Sequence, residues 1–501
     1  MSMSLIIGSR ASFLARIQTF IVKQELKKKI KNIKVSTQYA LTKWDENQSA
    51  APWKDSGYGI FTGSLTNKLL NKNYDCVVHS FKDLPVLKSR TDYFTIKRDY
   101  PRDVLLVKKA SLNKKNLILG TSSPRRKSSA KDLKDYIGEK NFKTKMIRGN
   151  VPTRLLKVLL KNEYDAVFIA KAAIDRIYKF GNKIDKKETK KFLNLFKKFK
   201  PFILPLSVFP TAASQGAIAI EYLKKDKKIK SILRRINCNK TLDICNQERD
   251  LLKKYGGGCG LDIGITIENI KKNNFLFSKG IDSKNNKPFH KNRILTKKII
   301  RKTKSIFPQN IKDYQMFDRI KLKLPQIKNS TIILTRPDFS IKDLNSSNFF
   351  ITSGTQTWKK VSSQKKIAQC TFDGLGEDYR LPEIYYRNYK NIKKISYKNS
   401  MSIYKTKQID GYELIPQINS KTIKNLFDAK IFYWMSYSAF KLAKAIRPEI
   451  TKYEHCSGPG STFEQLKKEI PTKRLNLFFN YKDFKESVYQ GRWKNFLIQI
   501  W

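Results

Sequence analysis

Short apolar runs alternate with stretches of helical periodicity through the first 220 residues. Runs at 4–8, 33–39 and 75–79 read as strands, and segments 13–29 and 61–72, with apolar positions three and four apart, read as helices. The rhythm restarts at 117–120, passes through a helix from Pro124, a strand at 144–147 and a helix from Pro152, and ends on 165–170. Alternation of this kind predicts two α/β units, each a parallel or mixed sheet flanked by helices. Beyond residue 224 the pattern becomes a helix carrying Cys238 to Tyr255, a glycine cluster, strands near 261–268 and 274–280 and a helix near 296–304, a small α+β unit. The polar segment 307–330, with Pro308 and Pro325, is expected to be a linker. A fresh strand at 331–334 opens the last 171 residues.

Composition narrows the class. At 501 residues with 40% hydrophobic positions the chain has core material for about three or four domains, which excludes general disorder. The 102 Lys and Arg against 42 Asp and Glu leave +60, a field that attracts anions and brings nucleic acid into consideration. The lysines, however, are spread over nearly every expected helix, so a solvated surface is the expectation and no nucleic-acid partner is assigned. Six cysteines without a CxxC pair fit a reducing compartment. No run approaches eighteen apolar residues, and a cytoplasmic chain without a membrane anchor is expected.

Candidate chemistry gathers at strand ends. Thr121-Ser122-Ser123-Pro124-Arg125-Arg126 follows a strand and opens a helix, so hydroxyls, helix amides and two guanidinium groups converge on an anion-binding corner. Arg148-Gly149-Asn150-Val151-Pro152-Thr153-Arg154 repeats the arrangement, and Gly8-Ser9-Arg10 with Ser12 makes a third corner. Three corners on two units favour one ligand with several anionic groups over ordinary helix caps, and no P-loop is present. Val78-His79-Ser80-Phe81-Lys82-Asp83 lies at the carboxyl end of a strand, where α/β sheets place ligands. Asp83 beside Lys82 and Ser80 suits acid–base work or stabilisation of a cation, whereas His79 reads as a packed histidine. Cys259 sits in the glycine loop 256–260, which exposes its thiol for covalent chemistry. The other five cysteines read as structural.

In order, the motifs GSRAS, GIF, VHSFKDLP, PRD, GTSSPRR, RGNVPTR, NEYDAVFIA, SQGAIAIE and GGGC resemble the porphobilinogen deaminase (hydroxymethylbilane synthase) family over about residues 4–305. The resemblance implies condensation of four porphobilinogen molecules into a linear tetrapyrrole with loss of ammonia, a transferase step of porphyrin and heme biosynthesis. It implies two domains like periplasmic-binding-protein lobes, 1–96 with 202–222 and 97–201, crossings near Lys97 and Pro201, and a small α+β domain at 223–306. A dipyrromethane cofactor would be attached through Cys259. Asp83, with Lys82, would assist deamination and stabilise the cation that follows. Ser12, Ser80, Lys82, Thr121, Ser122, Arg125, Arg126 and Arg148 would hold the cofactor, and Arg10, Arg148, Arg154, Arg176 and Gln215 the substrate chain. No metal is implied, and a monomer is expected.

This sequence departs from the family at Tyr58, where a lysine is common in the loop 44–59, at Asp262, where proline is common, and in the PTAASQGA form around Gln215. Residues 331–501 resemble uroporphyrinogen-III synthase in ILTRP, FFITS, WMSYS and SGPGST, as a reduced α/β module. Thr352, Ser353, Ser436 and Thr462 are candidates for its ligand cleft. An active lyase that closes the linear product and a reduced remnant that is structural or only binds it both remain open. A basic nucleic-acid-binding protein and a two-lobed binding protein without catalysis are the rivals from other classes.

Overall fold

The computed structural model describes residues 4–40, 63–85, 90–255, 261–295, 305–312, 314–364, 366–377, 391–400 and 407–490. The chain divides into two compact units. Met1–Lys134, Glu139–Ile267 and Phe277–His290 form one, and Asp135–Gly138, Glu268–Leu276 and Lys291–Trp501 the other.

The first unit opens with β1 (Ser4–Arg10), α1 (Phe13–Lys29), β2 (Lys34–Ala40), α2 (Gly63–Leu70), β3 (Cys76–Ser80) and β4 (Thr91–Thr95). The chain then leaves this sheet to build a second from β5 (Asp103–Lys108), β6 (Asn116–Gly120), α3 (Pro124–Ser129), β7 (Asn141–Lys145), α4 (Val151–Leu160), β8 (Ala166–Ala170), α5 (Lys171–Phe180), α6 (Lys186–Phe196) and β9 (Phe199–Ile203). It returns through β10 (Ile218–Leu223), whose six residues are all buried between β3 and β4. The sheet orders are β2-β1-β3-β10-β4 and β7-β6-β8-β5-β9. Strands buried on both faces read as continuous apolar runs, as CVV of β3 and VLLV of β5 do.

β7 lies at 141–145 rather than the expected 144–147. Its parallel register with β6, from Asn116–Asn141 to Gly120–Lys145, places Ile147 past the strand, with its side chain against Gly120. One charge sits inside the first sheet. Glu221 accepts from His79 Nε2 at 3.0 Å, Thr91 Oγ1 at 2.7 Å and Thr66 Oγ1 at 2.9 Å. Burial works against its ionisation, but these hydrogen bonds hold the carboxyl below the usual range. His79 is therefore a packed histidine with a buried partner.

α7 (Lys227–Arg234) and α8 (Asn239–Lys254) follow, then a three-stranded sheet of β11 (Ile263–Ile270), β12 (Asn273–Asp282) and β13 (Lys287–Ile294). The third strand was not legible beforehand, because KPFHKNRI is half exposed and mostly polar. The helix expected near 296–304 lies outside the described residues.

The second unit holds β14 (Ile306–Phe307), β15 (Phe317–Lys321), β16 (Thr331–Leu334), β17 (Phe349–Thr352), α9 (Thr355–Ser363), β18 (Cys370–Thr371), β19 (Ile392–Tyr397), β20 (Lys407–Pro416), α10 (Ser420–Asp428), β21 (Ile431–Trp434), α11 (Tyr437–Ile446), β22 (Glu454–Ser457), α12 (Ser461–Leu466), β23 (Leu475–Leu477) and α13 (Tyr481–Gln490). Its sheets run β15-β20-β19-β16-β17-β18 and β14-β21-β22-β23. Segment 307–330 is thus not a plain linker. Phe307 packs at 5.4 Å from the Trp434 ring, and β15 pairs antiparallel with β20 from Phe317–Pro416 to Lys321–Tyr412. Among the described residues no helix is long and apolar enough to cross a membrane.

The core of this unit holds a histidine. Trp434 Nε1 donates to His455 Nδ1 at 2.8 Å, which leaves Nε2–H to donate to the Ile450 carbonyl at 2.9 Å. Burial lowers the imidazole from 6.5 to about 4, against the opposing Ile450 hydrogen bond. The neutral ring therefore contributes stability above pH 6.5 that is lost as pH falls toward 4, worth about 3 kcal/mol. Denaturant unfolding followed by tryptophan fluorescence at pH 7 and pH 4.5 should show this loss in the wild type and a much smaller one in His455→Gln. Equal losses would remove the assignment.

Candidate active site

The first unit contains a cavity of about 550 Å³ lined from both of its α/β sheets. Arg10, Ser12, Ser80, Lys82 and Asp83 reach it from the first sheet, and Ser122, Arg126, Arg148, Arg154 and Arg176 from the second, with Gln215 on the returning segment. Ser12 holds the N-cap position of α1 but makes no side-chain cap bond. In the second sheet, by contrast, Ser123 caps α3 and Asn150 caps α4, so the caps fall on neighbours of the lining residues Ser122 and Arg148 rather than on those two residues. Gly149, at φ 113°, turns the chain between Arg148 and that cap, a conformation a side chain would strain.

Asp83 closes a one-turn 3-10 segment, Phe81–Asp83, directly after β3. Lys82 Nζ donates to Gln215 Oε1 at 3.4 Å, and Ser80 Oγ accepts from Gln18 Nε2 at 2.9 Å. Burial lowers the Lys82 pKa, opposed by the neighbouring Asp83 carboxylate. Arg154, held by its Nε on the Gly149 carbonyl at 2.7 Å, is lowered to about 10 by burial and by the Arg126 guanidinium, with Asp83 opposing. Cations crowded in this way favour an anionic ligand, whose arrival would relieve their repulsion.

Two expected residues face elsewhere. Arg125 is not among the lining residues; it donates to Asp103 Oδ2 at 2.9 Å and the Pro210 carbonyl at 3.1 Å. Thr121 is also absent from the lining, its Oγ1 accepting from the Ser123 amide. Arg176 lines the cavity while its Nε donates to Asp99 and its Nη2 to the Gly216 carbonyl, both at 2.7 Å. Cys259 and the loop 44–59 with Tyr58 lie outside the described residues. Of the other cysteines, Cys76, Cys245, Cys370 and Cys456 are buried, and burial pushes the Cys245 thiol up to about 12.

The residue that sequence reasoning missed is Asp103. Its carboxylate accepts from Arg125 Nη2, from Arg126 Nε at 3.2 Å and Nη2 at 2.6 Å, and from Gln215 Nε2 at 2.9 Å. Although burial opposes it, the two guanidinium groups hold this carboxyl far below the usual range. A lone acid at the head of an apolar strand, Asp103 before VLLV, was the available signal.

A family model described as "Porphobilinogen deaminase, dipyromethane cofactor binding domain" matches residues 5–231. The "Probable porphobilinogen deaminase" of Picrophilus torridus is 35% identical over 263 residues, covering 52% of this chain and 83% of that protein. The chain belongs to the porphobilinogen deaminase family. The "Porphobilinogen deaminase" of Prochlorococcus marinus is 34% identical over 267 residues, covering 52% of this chain and 77% of that protein. Among solved structures, the periplasmic aliphatic sulphonate binding protein SsuA from Escherichia coli is 13% identical, covers 51% of this chain and 75% of that one, and has a TM-score of 0.27, too low to bear on function.

As a porphobilinogen deaminase domain, the matched region is one that binds dipyrromethane. The donor set fits such a group: guanidinium, ammonium and hydroxyl donors surround one cavity, as a ligand bearing several carboxylates requires.

In the second unit, the hydroxyls singled out at strand ends are largely engaged with backbone. Ser353 Oγ donates to the Thr335 carbonyl, Thr352 Oγ1 to the Gly354 carbonyl at 3.1 Å, and Ser436 caps α11. Thr462 lies half-buried in α12.

Proposed function

We propose that the first unit condenses four porphobilinogen molecules head to tail, each step forming one carbon–carbon bond and releasing one ammonia, with water releasing the linear product. The observation that carries this reading is the convergence of Arg10, Arg126, Arg148, Arg154, Arg176 and Lys82 on the cavity that Asp83 enters. The arginines grip acetate and propionate carboxylates. Asp83 accepts hydrogen bonds from pyrrole N–H groups and stabilises the positive charge that develops as ammonia leaves, and the Lys82 ammonium binds a carboxylate beside it. Dipyrromethane, attached through Cys259, supplies the pyrrole on which the chain starts. Arg125 acts behind this surface by sharing Asp103 with Arg126, and Gln215, on the cavity wall, joins Asp103 to Lys82.

We read the second unit as a uroporphyrinogen-III synthase-like module. Supporting this, its two sheets approach at their strand ends, where Ser438 Oγ meets Tyr397 Oη at 3.4 Å and a Cβ on Gly460 would lie 3.5 Å from Gly376 Cα. The backbone engagement of Ser353 and Ser436 favours the alternative of a product-binding remnant.

One incubation with porphobilinogen tests both units. The intact mass should rise by two porphobilinogen units less two ammonia, and Cys259→Ala should carry no such increment. An unmodified wild-type protein would sink the deaminase reading. Uroporphyrinogen III as the main product supports an active module, and isomer I alone supports the remnant.

A further inference from the structure

Two consecutive residues of α8, Glu248 and Arg249, are buried charges with partners on other elements. The Glu248 carboxylate accepts from Arg98 Nη1 at 2.7 Å and Nη2 at 3.2 Å, from the Ser214 amide at 2.6 Å and from the Ile267 amide at 2.6 Å. Arg98 follows β4 on the outgoing crossing, Ser214 precedes β10 on the return, and Ile267 belongs to β11. Arg249, 3% exposed, reaches toward β3. Its Nη1 donates to the carbonyls of Phe81 at 3.4 Å and Leu84 at 3.2 Å, its Nη2 to that of Pro85, and its guanidinium lies 4.9 Å from the Phe81 ring centroid.

These three carbonyls belong to the turn that presents Lys82 and Asp83. A single 3-10 turn has little stiffness of its own, here one backbone bond from the Leu84 amide to Phe81. A planar guanidinium can meet several carbonyls at fixed angles, which an ammonium on a flexible stem cannot. The helix that carries Arg249 ends at Lys254, five residues before Cys259.

We propose that Arg249 is a positioning residue for Asp83, and that with Glu248 it locks the Asp83 turn and both crossings to the helix that runs into the Cys259 loop. The Asp83 turn thereby keeps its place against α8 while the cavity accommodates a longer chain. This inference rests on the roles given above to Asp83 and Cys259.

The test uses the full-length protein with Arg249→Met, Arg249→Lys and Asp83→Asn. Folded fraction and melting temperature are measured beside kcat, KM for porphobilinogen, and the rate at which apoprotein gains its mass increment. The carboxylate-binding arginines stand on other elements, so Arg249→Met should lower kcat per folded molecule by about 10- to 100-fold with KM within about twofold. It should also slow the mass increment, and Arg249→Lys should recover part of both. A folded Arg249→Met protein with wild-type kcat, or one whose activity falls only with its folded fraction, overturns the proposal. Should Arg249→Met not fold, undiminished kcat in Arg249→Lys does the same. Normal turnover by Asp83→Asn would instead show the role of Asp83 to be wrong and take this inference with it.

Discussion

Asp83→Asn should lower porphobilinogen turnover by about 10²- to 10³-fold while leaving KM and the melting temperature nearly unchanged. Asparagine keeps the size of the side chain and one carbonyl acceptor, so the 3-10 turn and its grip by Arg249 are preserved. What is removed, on the proposed reading, is the negative charge beside the cationic centre that forms as ammonia departs. In the proposed reading the carboxylates of substrate are held by the arginines lining the cavity, which separates affinity from chemistry. Steady-state kinetics with thermal melting of the same sample decides the matter. Turnover within a few-fold of wild type would remove Asp83 from the chemistry.

Asp103→Asn is expected to be the most destabilising single change in the first unit, costing about 3–5 kcal/mol, because it leaves two buried guanidinium groups sharing no counter-charge. Its pH behaviour follows from the depressed native pKa. An unfolded aspartate titrates near 3.8, so the contribution is complete above that value and is lost as pH falls through the much lower native one. Wild-type protein should therefore lose stability steeply below about pH 4, and the variant should lack this part of the acid transition. Denaturant midpoints from pH 7 to pH 3 measure both effects. A variant as stable as wild type at pH 7 would show that the pair is solvated in solution.

Much of the site was legible because it rests on local rules. The three arginine corners follow from a strand, a turn of hydroxyls or glycine and a helix start, all within seven residues, and Arg10, Arg126, Arg148 and Arg154 do converge on one cavity. The direction of a guanidinium is not local. Arg125 and Arg126 are neighbours in sequence and share Asp103, yet Arg125 is absent from the cavity lining and reaches the Pro210 carbonyl, 85 residues distant. Arg176 is held by Asp99, 77 residues away. Arg249 has no motif around it, since its partners are backbone carbonyls, which carry no residue identity. The fold shows the same division. Buried strands such as β3 and β8 declare themselves through continuous apolar runs, whereas β13 and β15, half exposed, owe their existence to the strands they pair with.

At Gly216 the two crossings meet backbone to backbone: φ is 88°, a Cβ would lie 2.6 Å from the Asp99 carbonyl oxygen, and the Asp99 amide donates to the Gly216 carbonyl. With the backbones in direct contact and Arg176 donating to both Asp99 and the Gly216 carbonyl, the crossings are pinned to one another at this point. Under the proposed condensation, a lengthening tetrapyrrole would be housed by twisting the two sheets about that point or by threading along the cavity, rather than by drawing them apart there. Each ring housed by twisting would register as an angle, not as a gap.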